Sequence, residues 1–264
     1  MKRRAWSTFV KLRDEYRLSV ERFRRRLPKL RGLQQKLADT RAGGAYTVET
    51  PVVYNTALDD VTSASDIRLI LVADNPGRRE QAAENRRYLV GPSGKIAGKF
   101  FCDNPSLGID FGKNVIILNK TPVHTPRTME LRELCRRAAG PERNALEKVL
   151  EESQREMARL LFEFHKALAP APVWIIGYSE MKKGGIFETY TVTLRELYSP
   201  CFQNRRTGGA RTDIASLSGQ LLLFRHFSMN QFTIDLKQRA APQKSIAENL
   251  ADIGSAYRER ILGW

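Results

Sequence analysis

The sequence predicts an α/β protein: a three-layer α/β/α arrangement around a central, mainly parallel four-stranded sheet, preceded by a basic helical extension. Three observations carry that expectation. Four short aliphatic runs are continuous rather than alternating, the pattern of strands buried on both faces. Helix-period segments separate several of them, so strands and helices alternate along the chain. The chain has 264 residues, 42% of them hydrophobic, which is enough to bury one substantial core.

Residues 5–38 carry Phe9, Leu12, Tyr16, Val20, Phe23, Leu27 and Leu30 at three- and four-residue steps, which predicts a helix. Its other face is rich in Arg and Lys, including Arg24, Arg25 and Arg26, and Pro28 should kink or divide it. Glycine, proline and small polar residues mark 40–66 as a connecting segment. These features divide the chain into a basic N-terminal extension, 1–45, and an α/β domain, 46–264. Within the domain the strands are expected at 67–73 (IRLILVA), 114–119 (NVIILN), 173–177 (VWIIG) and 221–228 (LLLFRHFS). The clearest helices are expected at 128–138, 143–168 and 244–262. No internal repeat or low-complexity tract interrupts them.

Charge narrows the partner. Forty-four Lys plus Arg against 29 Asp plus Glu give a net charge of +15, and the sequence pI is about 10.0. Such a balance favours a polyanion, most simply nucleic acid, because neutralising phosphates releases counterions. Cys102, Cys135 and Cys201 are widely spaced and contain no C-x-x-C pair. That pattern builds neither a structural zinc site nor an iron–sulfur cluster within one chain, and it suits a reducing compartment. The basic start has charges where a signal peptide needs an apolar core, and no apolar run is long enough to span a bilayer. The expectation is an intracellular, cytoplasmic protein with no membrane association, no metal and no cofactor.

Ligands of open parallel sheets sit beyond the carboxyl ends of the strands. The first aliphatic run ends in Asp74-Asn75-Pro76-Gly77, the second in Asn119-Lys120-Thr121, and the fourth leads into Arg225-His226-Phe227-Ser228-Met229-Asn230. The topology would bring a carboxylate, two amides and a histidine to one crevice. Gly91-Pro92-Ser93-Gly94-Lys95 suggests a P-loop but departs from G-x-x-x-x-G-K-[ST], with Leu89 at the first glycine and Ile96 at the hydroxyl position. It retains the makings of an anion site: backbone amides, a hydroxyl and a cation where a helix begins.

The order and spacing of these segments resemble the uracil-DNA glycosylase superfamily. Ala73-Asp74-Asn75-Pro76-Gly77 is similar to its first motif, a strand ending in a G-x-[D/N/A]-P-[Y/G] turn. Pro76-Gly77-Arg78-Arg79-Glu80 and Leu89-Val90-Gly91-Pro92-Ser93-Gly94 look like the P-G-x-x-E and F-V-G-x-x-G pieces of its iron–sulfur branch. Ile116-Ile117-Leu118-Asn119 is similar to the strand bearing the base-reading Asn, and His226-Phe227-Ser228 to the H-P-S motif. The resemblance covers roughly residues 67–230. Four cluster cysteines, the first glycine, the stacking Phe (here Leu89) and the proline of the last motif (here Phe227) are absent.

The resemblance implies a monofunctional DNA glycosylase that flips a deaminated base, uracil foremost, out of single-stranded or mismatched DNA and hydrolyses its N-glycosidic bond, initiating base excision repair. Asn119 would read the base with one amide donor and one acceptor. Pro76, Gly77, Leu89 and Tyr88 would line the base pocket, although Tyr88 should point away from Leu89 in an extended segment. His226 would donate a hydrogen bond to charge developing on the leaving base. Asp74 is expected to contribute most to activating water, with Asn75 assisting. Gly91, Ser93, Gly94, Lys95 and Ser228 would hold backbone phosphates, and Met229 or Asn230 would fill the vacated stack. Two other readings stay open. One is a nucleic-acid-binding protein that kept the fold and lost efficient chemistry. The other makes the basic N-terminal helix the functional element, docking a protein or RNA.

Overall fold

The computed structural model describes the backbone of residues 1–40, 46–206 and 217–264, and the side chains of these apart from 199–206. The Cys201 side chain and the boundary expected at residue 45 lie outside that description. Four strands, β1 (Leu69–Ala73), β2 (Val115–Asn119), β3 (Val173–Ile176) and β4 (Leu221–Phe224), form one sheet in the order β2-β1-β3-β4. Every pairing is parallel. All five β1 residues and all four β3 residues are buried, as central strands covered on both faces require.

The register decides where the site lies. Ala73 stands opposite Asn119, and Ile176 opposite Phe224. The strands therefore end level, and Asp74, Lys120, Gly177 and Arg225 all emerge at one edge.

Helices α1 (Arg3–Arg26) and α2 (Leu30–Asp39) are separated at residues 27–29, where Pro28 predicts the break. They are followed by α3 (Pro92–Asp103), α4 (Glu130–Arg137), α5 (Gly140–Leu168), α6 (Glu188–Arg206), α7 (Gln231–Arg239) and α8 (Ile246–Leu262). The α1 stripe packs along α5, with Phe9 and Phe164 rings 5.4 Å apart. Phe9, Tyr16 and Phe23 are fully or almost fully buried in the core that includes the sheet. Burial of such side chains stabilises by about 1.5–3 kcal/mol each, so the N-terminal segment is tied to the domain by its own apolar face. Several of its cations are paired: Arg17 with Asp59, Arg26 with Glu152, and Lys29 with Glu142.

Helix α5 lies against β2, with α1 and α6 beside it. On the other face Trp174 of β3 and Phe224 of β4 meet Phe101 of α3 and Phe232 of α7 in an aromatic layer with centroids 5.0–6.1 Å apart. Helix α8 packs on β4 and is opened by a capping box between Ser245 and Glu248. The segment expected to be a linker is fastened along β2: Val52 bridges Val123, and Asn55 donates to the Ile117 carbonyl (2.8 Å). Among the described residues no helix is long and apolar enough to cross a membrane.

Candidate functional site

The level strand ends bring together side chains far apart in sequence. Asp74, directly after β1, is the centre of the group. Lys120, directly after β2, is fully buried, and its ammonium donates to Asp74 Oδ1 and to the Ile176 carbonyl, each at 2.6 Å. Thr128 Oγ1 donates to Asp74 Oδ2 at 3.0 Å. Burial lowers the Lys120 pKa, and Asp74 works against that. Gly177, after β3, has φ +80°, and a Cβ there would stand 2.6 Å from Asp74 Oδ1. Only glycine allows β3 to end this close to the carboxylate.

His226 follows β4 and lies within electrostatic reach of both charges. Burial lowers its pKa first; Asp74 raises it and Lys120 lowers it further. The balance favours the neutral ring. Its Nδ1 accepts the Ser228 backbone N–H at 3.0 Å, which leaves the ring proton on Nε2. Phe227, standing where proline is expected, is fully buried and stacks on Phe232 with centroids 4.4 Å apart. Packing, rather than a pyrrolidine ring, holds the His226 loop. Beyond it Met229 and Asn230 both adopt left-handed backbone, φ 52° and 58°, and Met229 is 83% exposed. Two consecutive non-glycine residues in that region are uncommon and point to a constrained loop tip.

Asn119 ends β2 one residue before Lys120. Its side chain is buried to 1% exposure, and neither amide atom has a hydrogen-bond partner among the described residues. An unmade pair of this kind costs free energy in a folded protein unless a water or a ligand supplies the donor and the acceptor.

The first-motif turn is braced from several sides. The Asn75 amide nitrogen donates to the carbonyl and hydroxyl of Thr125, both at 2.9 Å, which turns its donor inward and leaves Oδ1 as the atom for a water. The Pro76 carbonyl accepts from Thr125 N (3.2 Å) and from His124 Nδ1 (2.8 Å), while Tyr46 OH meets His124 Nε2 at 2.8 Å. Glu80 joins the two glycine-containing turns, accepting from Gly77 N–H (2.9 Å) and Leu89 N–H (2.8 Å). Burial raises its pKa to about 7 against those two hydrogen bonds.

The turn before α3 departs from its expected use. Tyr88 points into the core, where its hydroxyl meets Tyr16 OH and donates to the Val53 carbonyl (2.6 Å). It presents no ring to a base. Leu89 is buried at φ 53°. Its carbonyl would lie 1.4 Å from a Cβ on Gly94, so the turn closes only on glycine. The Gly94 and Lys95 amides already donate to the Gly91 carbonyl, at 3.0 and 3.2 Å. Of the expected phosphate cradle this leaves the Gly91 and Ser93 amides, the Ser93 hydroxyl and the exposed Lys95 ammonium. Ser228 is half-buried beside the His226 loop.

The structure thus gathers Asp74 and His226 at one strand edge, with Asn119 closing the strand next to Asp74's. Tyr88 is turned away from them, and Gly94 has a closing role. Lys120, Thr128, Thr125 and His124 are the site's neighbours that sequence reasoning left without a role. Among the described residues no group of three or more His, Cys, Asp or Glu side chains is placed to hold a metal ion. No protein-family model matches this sequence, and a comparison with curated proteins finds no match. The functional case rests on the residues themselves.

Proposed function

We propose that this protein is a DNA glycosylase of the uracil-DNA glycosylase kind, hydrolysing the N-glycosidic bond of a deaminated base flipped out of DNA. The observation that carries the reading is Asn119. A buried carboxamide with neither polar atom paired among the described residues, on the strand end in register with Ala73 just before Asp74, fits a ligand edge with one acceptor and one donor. The O4 and N3–H of uracil form such an edge.

The chemistry follows from charge. As the N1–C1′ bond breaks, its electron pair leaves with the base and positive charge grows on the sugar. His226 donates Nε2–H to the oxygen of the departing base, a role a neutral ring performs without first losing a proton. The Asp74 carboxylate, fixed by Lys120 and Thr128, stabilises the sugar cation and takes the proton that water loses as its oxygen bonds to C1′. Asn75 Oδ1 orients that water. Ser93, Lys95 and Ser228 engage the backbone phosphates, and Met229 enters the vacated stack.

Single-turnover excision on uracil-containing single strands tests these roles. Asp74→Asn and His226→Ala should each slow the rate about 100-fold or more, in the range of general-acid–base and oxyanion contributions. Asn75→Ala should slow it less than Asp74→Asn. Full turnover in Asp74→Asn with none in Asn75→Ala would reverse the assignment. The competing reading, a binder that kept the fold, is favoured by one feature: the 88–91 turn offers no aromatic ring to a flipped base, because Tyr88 is spent in the core. Salt-sensitive DNA binding with no abasic product would select it.

A further inference from the structure

On the β4 side of the sheet three arginines gather around a pair of tyrosines whose rings meet at a tilt of 35°. Tyr178, the residue after Gly177, and Tyr257 of α8 have ring centroids 4.5 Å apart. The Arg260 guanidinium lies 5.2 Å from the first ring and 4.9 Å from the second, and that of Arg239 lies 5.1 Å from Tyr257. Arg225, the residue before His226, and Arg239 both reach Asp235 Oδ1, at 3.4 and 3.1 Å. Asp235 is the only carboxylate the three guanidinium groups meet among the described residues, and it is 7% exposed. It also accepts the Tyr257 hydroxyl at 2.7 and 2.9 Å through its two oxygens.

This arrangement is not self-neutralising. Three guanidinium groups carry far more N–H donors than one carboxylate has lone pairs, and part of that carboxylate serves a tyrosine. Arg225 and Arg239 side chains remain 48% and 51% exposed, and Arg260 is exposed as well. The aromatic faces hold Arg239 and Arg260 in place, and Asp235 holds Arg225, so little side-chain entropy is lost when an anion binds. The patch is also joined to the catalytic group at two points: Tyr178 adjoins the glycine that touches Asp74, and Arg225 adjoins His226.

We propose that Arg225, Arg239 and Arg260 form a phosphodiester-binding site for the nucleic-acid strand, separate from the turn at Gly91–Lys95. This rests on the glycosylase reading for its partner, a DNA strand whose flipped base occupies the site while flanking phosphates cross the β4 side.

The test is binding of a labelled single-stranded oligonucleotide over a salt series by Arg260→Gln, by Arg239→Gln/Arg260→Gln and by Arg25→Gln on α1. Each cation lost from the patch should flatten the slope of log affinity against log salt by about 0.7. Affinity at low salt should fall several-fold, with Arg25→Gln close to wild type. Arg260 makes no ion pair among the described residues, so Arg260→Gln carries the test if Arg239→Gln unsettles Asp235. Unchanged slopes in folded variants of a protein that binds and excises would overturn this site and leave the glycosylase reading intact. An equal loss in Arg25→Gln would overturn it as diffuse charge. Failure of the wild type to bind would overturn both.

Discussion

Replacing Asn119 by leucine should make the protein more stable and unable to read its base. The Asn119 amide is buried to 1% exposure with neither polar atom paired. Leaving a buried polar group unsatisfied costs about 1–3 kcal/mol, and an apolar side chain of similar reach removes that cost. Taking about 2 kcal/mol as the gain, and about 2–4 °C per kcal/mol for a chain of this size, Asn119→Leu should raise Tm by about 4–8 °C. Excision should fall by 100-fold or more, because a site built to pair a polar edge loses both partners at once. Thermal unfolding followed by circular dichroism gives the first number, and single-turnover excision gives the second. A lower Tm, or excision at the wild-type rate, would refute the reasoning: the amide would then be serving the fold.

The remaining predictions draw on other parts of the structure. Gly94→Ala should destabilise by about 3 kcal/mol or more, read as a fall in urea midpoint, because the new Cβ would overlap the Leu89 carbonyl at 1.4 Å. Met229→Ala should leave stability within about 0.5 kcal/mol, slow excision from duplex DNA about tenfold and spare single strands, since only a duplex has a gap to fill. Acid sensitivity should follow His165, whose pKa burial lowers from 6.5 to about 4. The unfolded chain binds the extra proton in that window, so stability should fall by roughly 3 kcal/mol as pH drops from 6.5 to 4. Glu80, raised from 4.5 to about 7, works with the opposite sign. Its contribution is present below pH 4.5 and lost as pH rises through 7, so urea midpoints of His165→Gln and Glu80→Gln against wild type should separate the two slopes.

How much of this was legible depends on whether a residue's neighbours were local. The four strands announced themselves because a strand buried on both faces is aliphatic throughout, and β1 and β3 are buried at every position. The sequence expectation named neither α6 nor α7. The first half of α6, ETYTVTL, is rich in β-branched and aromatic residues that favour strands, and its helix is settled by packing on α5. Asp74, Asn119 and His226 were readable as strand ends, because the parallel topology does the rest.

Lys120 was not readable as a partner of Asp74. One lysine in a chain with 44 Lys plus Arg carries no signal, and only the register of β1 on β2 buries it there. Tyr88 shows the same limit from the other side. Its hydroxyl partner, Tyr16, lies 72 residues away on α1. The alternation rule assumes an extended segment, whereas residues 88 and 89 form a turn with Leu89 at φ 53°, and both side chains are buried.

The most direct test of the central claim is mass analysis of both products after the wild-type protein is incubated with a single-stranded oligonucleotide carrying one uracil. The account predicts free uracil together with an unbroken strand that has become abasic at that position, and neither product from His226→Ala. An unaltered oligonucleotide, bound tightly and released by salt, would contradict it and leave the strand-end group as a binding site alone.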